Sequence, residues 1–333
     1  MKKINTLVVG QGLAGSLVAY MLHLRKISFT VIDPARANTS SLIAAGMFSP
    51  VSGKRKTIQP IVQQQIPFAI KIYKEIEQLL NATILHLNNI YQVFNSVAEQ
   101  NELIGKLANA DYAKYILTGT SALPNIKQEI GAYEITHSGW VDCELLISRF
   151  AQWLMEHDAF IKAGFLYEDL QLGNGGMKYH GLEFNNIVFC EGWLAVDNPF
   201  FNNENIIPCK GDILSVKYYH LPGDHIIKKN GIYLIPAGNN LFRAGSTYQW
   251  NNNSTQPDEW GKKLIEDQLN AMLKNKYITI NHRSAIRPTT QNREVIAKQH
   301  ASHAGMFMLN GLGTKGILQG PWWARHIVEI LDP

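Results

Sequence analysis

A glycine-rich turn near the N-terminus restricts the fold of this 333-residue chain more than any other feature. A short apolar run is followed by Gly10, Gly12 and Gly15 in a G-x-G-x-x-G pattern. Residues 13–24 are largely apolar, and a second β-prone run ends at Asp33. This order of strand, tight turn, helix and strand predicts the first βαβ unit of a Rossmann-like domain.

Each glycine of such a turn has a physical role in binding a dinucleotide. Gly10 permits the tight turn, Gly12 lets a pyrophosphate approach the backbone, and Gly15 lets the helix and strand pack closely. The helix N-terminus directs unpaired N–H groups at the phosphates. Asp33 follows Gly15 by 18 residues, where a carboxylate accepts hydrogen bonds from a ribose. We therefore predict a dinucleotide site, the alternative being a glycine-rich turn in an ordinary βαβ unit.

Composition favours an ordinary globular protein with room for two domains. Hydrophobic residues make up 46% of the chain and charged residues 17%, and the net charge of +4 does not by itself indicate nucleic-acid binding. The three cysteines show no C-x-x-C spacing and the histidines no metal-ligand spacing, which argues against disulfides and against a metal site. Glycines interrupt the apolar run after Lys3, and no stretch reaches the length of a membrane span. We expect a soluble, cytoplasmic protein.

Hydrophobic periodicity along the rest of the chain alternates between helix and strand. Asp142 precedes an amphipathic segment and is a plausible N-cap, and Pro321 suits the first turn of a terminal helix. We predict helices over 59–80, 98–107, 144–156, 257–273 and 321–331, and strands over 90–94, 160–167, 181–190, 211–219, 231–235, 241–247 and 277–286.

Several later segments resemble the FAD-dependent D-amino-acid oxidase and glycine oxidase superfamily, and the resemblance runs along most of the chain. Individually these motifs are short, but their order and spacing together are specific. The segments are 40–47 (SSLIAAGM), 188–193 (VFCEGW), 208–214 (PCKGDIL), 233–236 (YLIP) with 242–247, 286–289 (IRPT) and 311–317 (GLGTKGI).

The resemblance implies an α/β fold in which an FAD/NAD(P)-binding Rossmann-like domain is interleaved with a β-rich substrate domain. The FAD-binding domain is expected from residues 1–55, 138–205 and 283–333, and the substrate domain from residues 56–137 and 206–282. No cysteine follows Cys209, so the FAD is expected to be non-covalent. The residues implied around FAD are Gly10, Gly12, Leu13, Ala14, Gly15, Asp33, Pro34, Ser40, Ser41, Ala45, Gly46, Met47, Phe165, Gly192, Leu312, Gly313, Thr314, Lys315, Gly316 and Ile317.

Four residues are candidates for substrate binding or catalysis. Arg287 is expected to bind a substrate carboxylate through two parallel hydrogen bonds, the alternative being a structural arginine that pairs with Glu294. Tyr233 and Tyr248 are placed to hydrogen-bond a substrate amine or carboxylate, although each is about equally expected as a core or rim tyrosine. Lys315 is the cation nearest to the position where glycine oxidases place a second arginine.

These inferences favour an FAD-dependent enzyme that oxidises the C–N bond of an amine or amino acid and passes the electrons to O2 or another acceptor. One alternative is a flavoenzyme acting on a carboxymethylaminomethyl group of a tRNA wobble uridine, because 311–316 is similar to a turn of such an enzyme. Such an enzyme would need a continuous basic surface, of which the basic run 54–56 is the only sequence hint, and for that run a solvated loop is the simpler explanation. A third hypothesis is a flavin-binding protein without turnover.

Overall fold

The computed structural model describes residues 2–53, 55–173, 175–221 and 225–333. Within these ranges the chain forms eight α-helices and two short 3-10 helices. None of these α-helices is both long and apolar enough to span a membrane. The α-helices are α1 (Leu13–Leu24), α2 (Ser40–Ile43), α3 (Val62–Leu80), α4 (Val97–Lys106), α5 (Ala110–Ala113), α6 (Cys143–Glu156), α7 (Glu259–Met272) and α8 (Gly316–Leu331), and the 3-10 helices are Tyr167–Asp169 and Gly192–Asp197.

The strands alternate with these helices along the chain. In order they are β1 (Lys2–Lys3), β2 (Thr6–Val9), β3 (Phe29–Ile32), β4 (Met47–Phe48), β5 (Val51–Ser52), β6 (Thr57–Ile58), β7 (Leu85–Leu87), β8 (Ile90–Val93), β9 (Ile116–Leu117), β10 (Ala132–Ile135), β11 (Gly139–Val141), β12 (Phe160–Ile161), β13 (Gln171–Gly173), β14 (Gly176–Tyr179), β15 (Leu182–Phe184), β16 (Asn186–Phe189), β17 (Ile206–Lys217), β18 (Ile226–Lys229), β19 (Ile232–Pro236), β20 (Leu241–Gly245), β21 (Gln249–Trp250), β22 (Ile278–Thr290), β23 (Ile296–Gln299) and β24 (Met306–Asn310). They form five sheets.

The Rossmann-like half is built on a six-stranded sheet in the order β12-β3-β2-β16-β24-β23. All neighbouring strands in it are parallel except β23, which runs antiparallel to β24 at the edge. Helices α1, α3, α6 and α8 share one apolar core with this sheet. The small sheet β1-β15-β14-β13 shares a second core with it. Layers on both faces bury a parallel sheet, as such sheets require.

The second half is a nine-stranded sheet in which β17 pairs with β20, β21 and β22. One face of this sheet packs on α7. The other face contacts the cofactor half, where Ala45, Met47 and Trp140 lie in one core with Ile213 and Tyr233. The predicted pairing of a Rossmann-like domain with a β-rich domain is confirmed, and their junction is where a ligand site is expected.

Two predicted strands are wrong, one because the chain changes sheet within it and the other because pairing ends after two residues. The segment 181–190 is two strands, since β15 pairs with β1 and β14 while β16 pairs with β2 and β24. At the change, the N–H groups of Asn185 and Asn186 both donate to the carbonyl of Asn5. The segment 160–167 pairs only at β12, after which the ring of Phe165 stacks on Tyr179 instead of continuing a strand.

The terminal helix begins at Gly316, not at Pro321 as predicted, and Pro321 lies in its interior. A proline there offers no N–H to the carbonyl of Ile317 four residues earlier. The hydroxyl of Tyr73 donates to that carbonyl instead, at 2.9 Å. This bond between α3 and α8 explains why the helix continues through the proline.

The expected domain boundary between residues 282 and 283 falls inside strand β22. This strand pairs with β17 from Ile278 to Thr290 and so belongs entirely to the nine-stranded sheet. We therefore propose that the last segment of the cofactor domain begins after Thr290, because dividing a continuous strand would break its hydrogen-bond ladder.

Candidate active site

The glycine-rich turn has the backbone geometry that its sequence predicts. Gly10 has a φ of +99°, and a side chain there would bring Cβ within 2.5 Å of the Cys190 carbonyl. A Cβ on Gly15 would lie 1.8 Å from the carbonyl of Gly10. Only glycine fits at either position, so the turn from β2 into α1 depends on both residues.

The start of α1 presents backbone donors to an open space. The N–H of Leu13 donates to Ser41 Oγ at 2.9 Å. The N–H groups of Gly12, Ala14 and Gly15 have no acceptor among the residues that the structure describes. A Cβ on Gly12 would meet only the Ser41 side chain, at 3.0 Å from its Oγ. Backbone donors without a protein acceptor at a helix N-terminus fit a pyrophosphate.

Asp33 lies just beyond the carboxyl end of β3 and accepts a hydrogen bond from the glycine-rich turn. One carboxylate oxygen accepts from the N–H of Gln11 at 2.8 Å, and the other accepts from the N–H of Ala35, beyond Pro34, at 2.6 Å. Because each carboxylate oxygen accepts more than one hydrogen bond, both retain capacity for ribose hydroxyls. The carbonyl of Gly192 accepts from the Asn310 side chain at 2.8 Å, which joins the ends of β16 and β24.

The loop from Ser40 to Met47 joins the two halves of the molecule. Thr39 caps the short helix α2 by accepting from the N–H of Leu42. Gly46 has a φ of +76°, its carbonyl accepts from the N–H of Val141 at 3.0 Å, and a Cβ there would lie 1.9 Å from the Val141 carbonyl. The contact with β11 therefore already requires glycine at position 46, independently of any cofactor.

The second glycine-rich turn also offers free donors. Among the described residues, the N–H groups of Thr314, Gly316 and Ile317 have no acceptor, whereas the N–H of Gly313 donates to the Pro288 carbonyl at 3.1 Å. Leu312 and Ile317 are buried beneath the turn. Donors at a helix N-terminus stabilise negative charge, which fits the edge of a reduced flavin ring.

The side chain of Lys315 is half-buried at the start of α8. Burial, together with the nearby charge of Arg293, lowers the pKa of its ammonium group. Its charged neighbour is thus Arg293, and the structure shows no contact between Lys315 and Arg287. Lys315 therefore lies in the second glycine-rich turn, at the N-terminus of α8.

Arg287 lies on the face of the nine-stranded sheet that meets the cofactor half. Its Nη1 donates to the Thr247 carbonyl at 3.1 Å and its Nη2 to Ser246 Oγ at 2.7 Å. The guanidinium also stacks on the ring of Tyr248, 4.8 Å from the centroid. Among the described residues it forms no ion pair, and Glu294 instead accepts from the amide of Asn292 at 2.6 Å. The alternative pairing of Arg287 with Glu294 is absent.

The two candidate tyrosines differ in environment. Tyr233 pairs with Gly245 across β19 and β20 and lies beside Ser246. Burial raises the pKa of its hydroxyl to about 12, although Arg287 opposes the increase. Tyr233 therefore remains a neutral hydrogen-bond donor at physiological pH. Tyr248 is 49% exposed and forms the rim of the site over Arg287.

Comparison with known proteins identifies the family to which this chain belongs. The family model of the FAD-dependent oxidoreductases of the DAO family matches residues 5–330. The chain belongs to this family. It is therefore an FAD-dependent oxidoreductase, and the free backbone donors at the two glycine-rich turns fit the cofactor of the family.

Solved structures share the fold of this oxidoreductase at low sequence identity. Glycine oxidase from Bacillus cereus superimposes with a TM-score of 0.84 at 17% identity, covering 99% of this chain and 95% of that one. Iminodiacetate oxidase from a Chelativorans species gives 0.79 at 16% identity, with 99% and 96% covered. The FAD-bound L-α-glycerophosphate oxidase from Mycoplasma pneumoniae gives 0.80 at 14% identity, with 100% and 96% covered. The fold thus occurs with substrates of more than one class.

Sequence reasoning missed three residues that lie near the candidate substrate-binding side chains. Ser246 contacts Arg287, and Gly211 leaves room for its guanidinium. Arg243 is buried on strand β20 of the same sheet. Of these, Arg243 could have been found from the sequence LFRAG at 241–245, because a charged residue inside an apolar strand needs a specific partner.

Proposed function

We propose that this FAD-dependent oxidoreductase oxidises the C–N bond of an amino acid or a related amine whose carboxylate binds Arg287. The observation that carries the proposal is a half-buried guanidinium without a carboxylate partner among the described residues, held at the junction of the two halves. An arginine held in this way matches the bidentate geometry of a carboxylate. A bound carboxylate would supply the missing negative charge.

The residues around Arg287 would orient the substrate. Arg287 holds the carboxylate, and the neutral hydroxyl of Tyr233 hydrogen-bonds the substrate amine or carboxylate. Tyr248 stacks on Arg287 and limits the guanidinium to one plane. A bound FAD would supply the hydride acceptor for oxidation of the C–N bond, and the residues of this chain would hold the α-carbon and nitrogen in position for it. Orientation and exclusion of water are the protein's main contributions to this reaction.

The proposed cofactor site uses backbone groups more than side chains. The turn at Gly10–Gly15 would receive the pyrophosphate, Asp33 the ribose, and the turn at 311–317 the flavin ring. Phe165, whose ring stacks on Tyr179, would border the adenine. We propose that the FAD is held without a covalent bond and that O2 or another acceptor reoxidises it.

The basic run at 54–56 gives little support to a tRNA substrate. Lys56 is only 7% exposed, and its ammonium pairs with Glu99 at 2.9 Å. This burial contradicts the expectation of a solvated loop there. Arg55 is exposed, and Lys54 lies outside the described residues. A run with a buried, neutralised lysine does not form a continuous basic surface.

The test is an anaerobic titration of the purified yellow holoenzyme with amines and amino acids, monitored by bleaching of the flavin absorbance. We expect a carboxylated amine to reduce the flavin, and Arg287→Met to lower kcat/KM about thirty- to several-hundred-fold, the loss expected for a charge-assisted bidentate contact of roughly 2–4 kcal/mol. The exposed Arg149→Met serves as the control.

Three outcomes would contradict the proposal. If no amine reduces the flavin, the protein binds flavin without turning over amines. If only modified tRNA does so, the substrate is a nucleic acid. If Arg287→Met affects amines with and without a carboxylate equally, Arg287 is not the carboxylate site. Flavin content is measured in each variant, so that loss of cofactor is not mistaken for loss of substrate binding.

A further inference from the structure

A second arginine, Arg243, lies on the same face of the nine-stranded sheet as Arg287. Arg243 pairs with Ile235, and two residues further along the strands Gly245 pairs with Tyr233. Side chains on paired and alternate positions share a face. Across β17 the same alternation links Ser215, opposite Arg243, to Cys209, opposite Arg287. The face toward the cofactor half therefore carries Arg243 together with Arg283 and Arg287.

We propose that Arg243 binds a second anionic group of the substrate, so that the preferred substrates are small amino diacids. This inference rests on the proposed function, because it extends the site in which Arg287 holds the first carboxylate. It assigns Arg243 the role of a specificity residue that contacts the substrate.

The hydrogen bonding of Arg243 leaves a donor group unused. The residue is only 9% exposed, its Nη2 donates to the Asp142 carboxylate at 3.2 Å, and the same nitrogen lies 4.0 Å from the Glu144 carboxylate that Arg283 also contacts. Its Nη1 is buried and has no hydrogen-bond partner among the described residues. Leaving a buried charged donor unpaired costs more free energy than leaving a neutral donor unpaired. An acceptor supplied by a ligand would remove that cost.

The surroundings of Arg243 place it at the cofactor junction. Its guanidinium lies over the ring of Trp140, 5.9 Å from the centroid. Trp140 pairs with Met47, the last residue of the loop expected under the flavin. Both Arg243 and Arg287 act on the hydroxyl of Tyr233, where their charges oppose the effect of burial on its pKa. Tyr233 shares the sheet face of Arg243, because Arg243 pairs with Ile235, two residues from Tyr233 on β19.

The spacing of the two arginines suits a short diacid. The Arg287 guanidinium lies where a Gly211 side chain would be, and Arg243 is opposite Ser215. At about 3.3 Å per residue, these two positions on β17 are roughly 13 Å apart. A hydrogen bond of about 2.9 Å at each end shortens the span that the substrate must cover. We expect a small amino diacid to fit between the two guanidinium groups, with its nitrogen near Tyr233.

Arg283 provides a matched control on the same face. It is opposite Ile213 on β17, and both of its terminal nitrogens donate to Glu144, at 3.2 and 3.0 Å. Its ion pair joins the same two halves of the molecule as the pair between Arg243 and Asp142. Arg283, however, has no buried unpaired donor among the described residues. Replacing Arg283 should therefore weaken the contact between the two halves without changing which substrate the enzyme prefers.

The experiment compares kcat/KM of the holoenzyme for iminodiacetate and for its monoamide, which has the same shape but only one carboxylate. D-glutamate and D-glutamine form a second matched pair. We expect the wild type to prefer the diacid of at least one pair by tenfold or more. Arg243→Met should reduce that preference to less than threefold, Arg243→Lys should retain part of it, and Arg283→Met should leave it unchanged.

Binding without turnover gives an independent measurement. Glutarate should perturb the flavin absorbance of the wild-type holoenzyme at lower concentration than its monoamide, and Arg243→Met should remove the difference. This binding measurement tests the inference separately from the proposed function, because a preference for glutarate over its monoamide can be detected even if no amine reduces the flavin. Equal response of the wild type to diacid and monoamide in both arms would overturn the inference, whether or not the variants fold. So would a diacid preference that survives in Arg243→Met.

Discussion

The guanidinium of Arg287 occupies the space that a side chain at Gly211 would fill. The two residues lie on neighbouring strands, since Gly211 pairs with Ala285 and Arg287 is two residues further along β22. A Cβ on Gly211 would lie 2.1 Å from Arg287 Nη2 and 2.3 Å from its central carbon. The position of the proposed carboxylate site thus depends on the absence of a side chain on the adjacent strand.

We therefore expect Gly211→Ala to displace Arg287 and to lower kcat/KM for a carboxylated amine by roughly tenfold to a hundredfold, because displacements of about 1 Å have effects of this size. FAD content should not change. Steady-state kinetics and the flavin absorbance measure the two effects. Gly164→Ala is the control, since a Cβ there meets no atom within 4 Å. Unchanged kinetics in Gly211→Ala would show that Arg287 does not bind the substrate.

Gly12 and Gly46 should respond differently to alanine. At Gly12 the added Cβ meets only the Ser41 side chain, so the apoprotein should keep its unfolding free energy to within about 0.5 kcal/mol while FAD affinity falls. At Gly46 the Cβ clashes with the Val141 carbonyl and the backbone has a positive φ, so both apoprotein stability and FAD binding should fall. Thermal unfolding and FAD titration of the apoproteins separate the two cases. Normal FAD affinity in Gly12→Ala would contradict the proposed pyrophosphate site.

The hydrogen bond from Tyr73 to the Ile317 carbonyl should contribute to stability. Tyr73 is almost completely buried, and the carbonyl has no helical donor because of Pro321. We expect Tyr73→Phe to lower the unfolding free energy by about 1–2 kcal/mol, measured by urea denaturation. In a Pro321→Ala background, the N–H of Ala at 321 can replace the hydroxyl, so Tyr73→Phe should cost less there. Equal costs in both backgrounds would disprove the compensation.

Asp258 should contribute a pH-dependent stabilisation. Burial tends to raise the pKa of its carboxyl, but hydrogen bonds from Lys210, Gln249 and the N–H of Gly261 outweigh this effect and lower the pKa to about 2. A carboxyl whose pKa is lower in the folded state stabilises the fold above its unfolded pKa of about 3.9, and the contribution disappears as the pH falls toward 2. Unfolding free energies at pH 5, 4, 3 and 2.5 should fall more steeply for the wild type than for Asp258→Asn. Parallel curves would refute the assignment.

Local sequence determines the first helix of the glycine-rich βαβ unit and the start of α6. Helix α1 runs from Leu13 to Leu24, as predicted, because glycines in the turn and apolar spacing in the helix act over a few residues. Asp142 caps α6 as predicted, by accepting from the N–H of Leu145 at 3.2 Å. Such signals can be read from neighbouring residues alone.

The tertiary structure alone decided which distant residues meet. Ser246 reaches Arg287 from 41 positions away because β17 pairs with both β20 and β22. Tyr73 allows α8 to begin five residues before Pro321 from 244 positions away, and no local rule predicts that donor. The choice of partner strand and register comes from burying whole sheet faces at once, so it depends on contacts that no single segment contains. The depth at which Arg243 is buried, and its unpaired nitrogen, follow from that assembly.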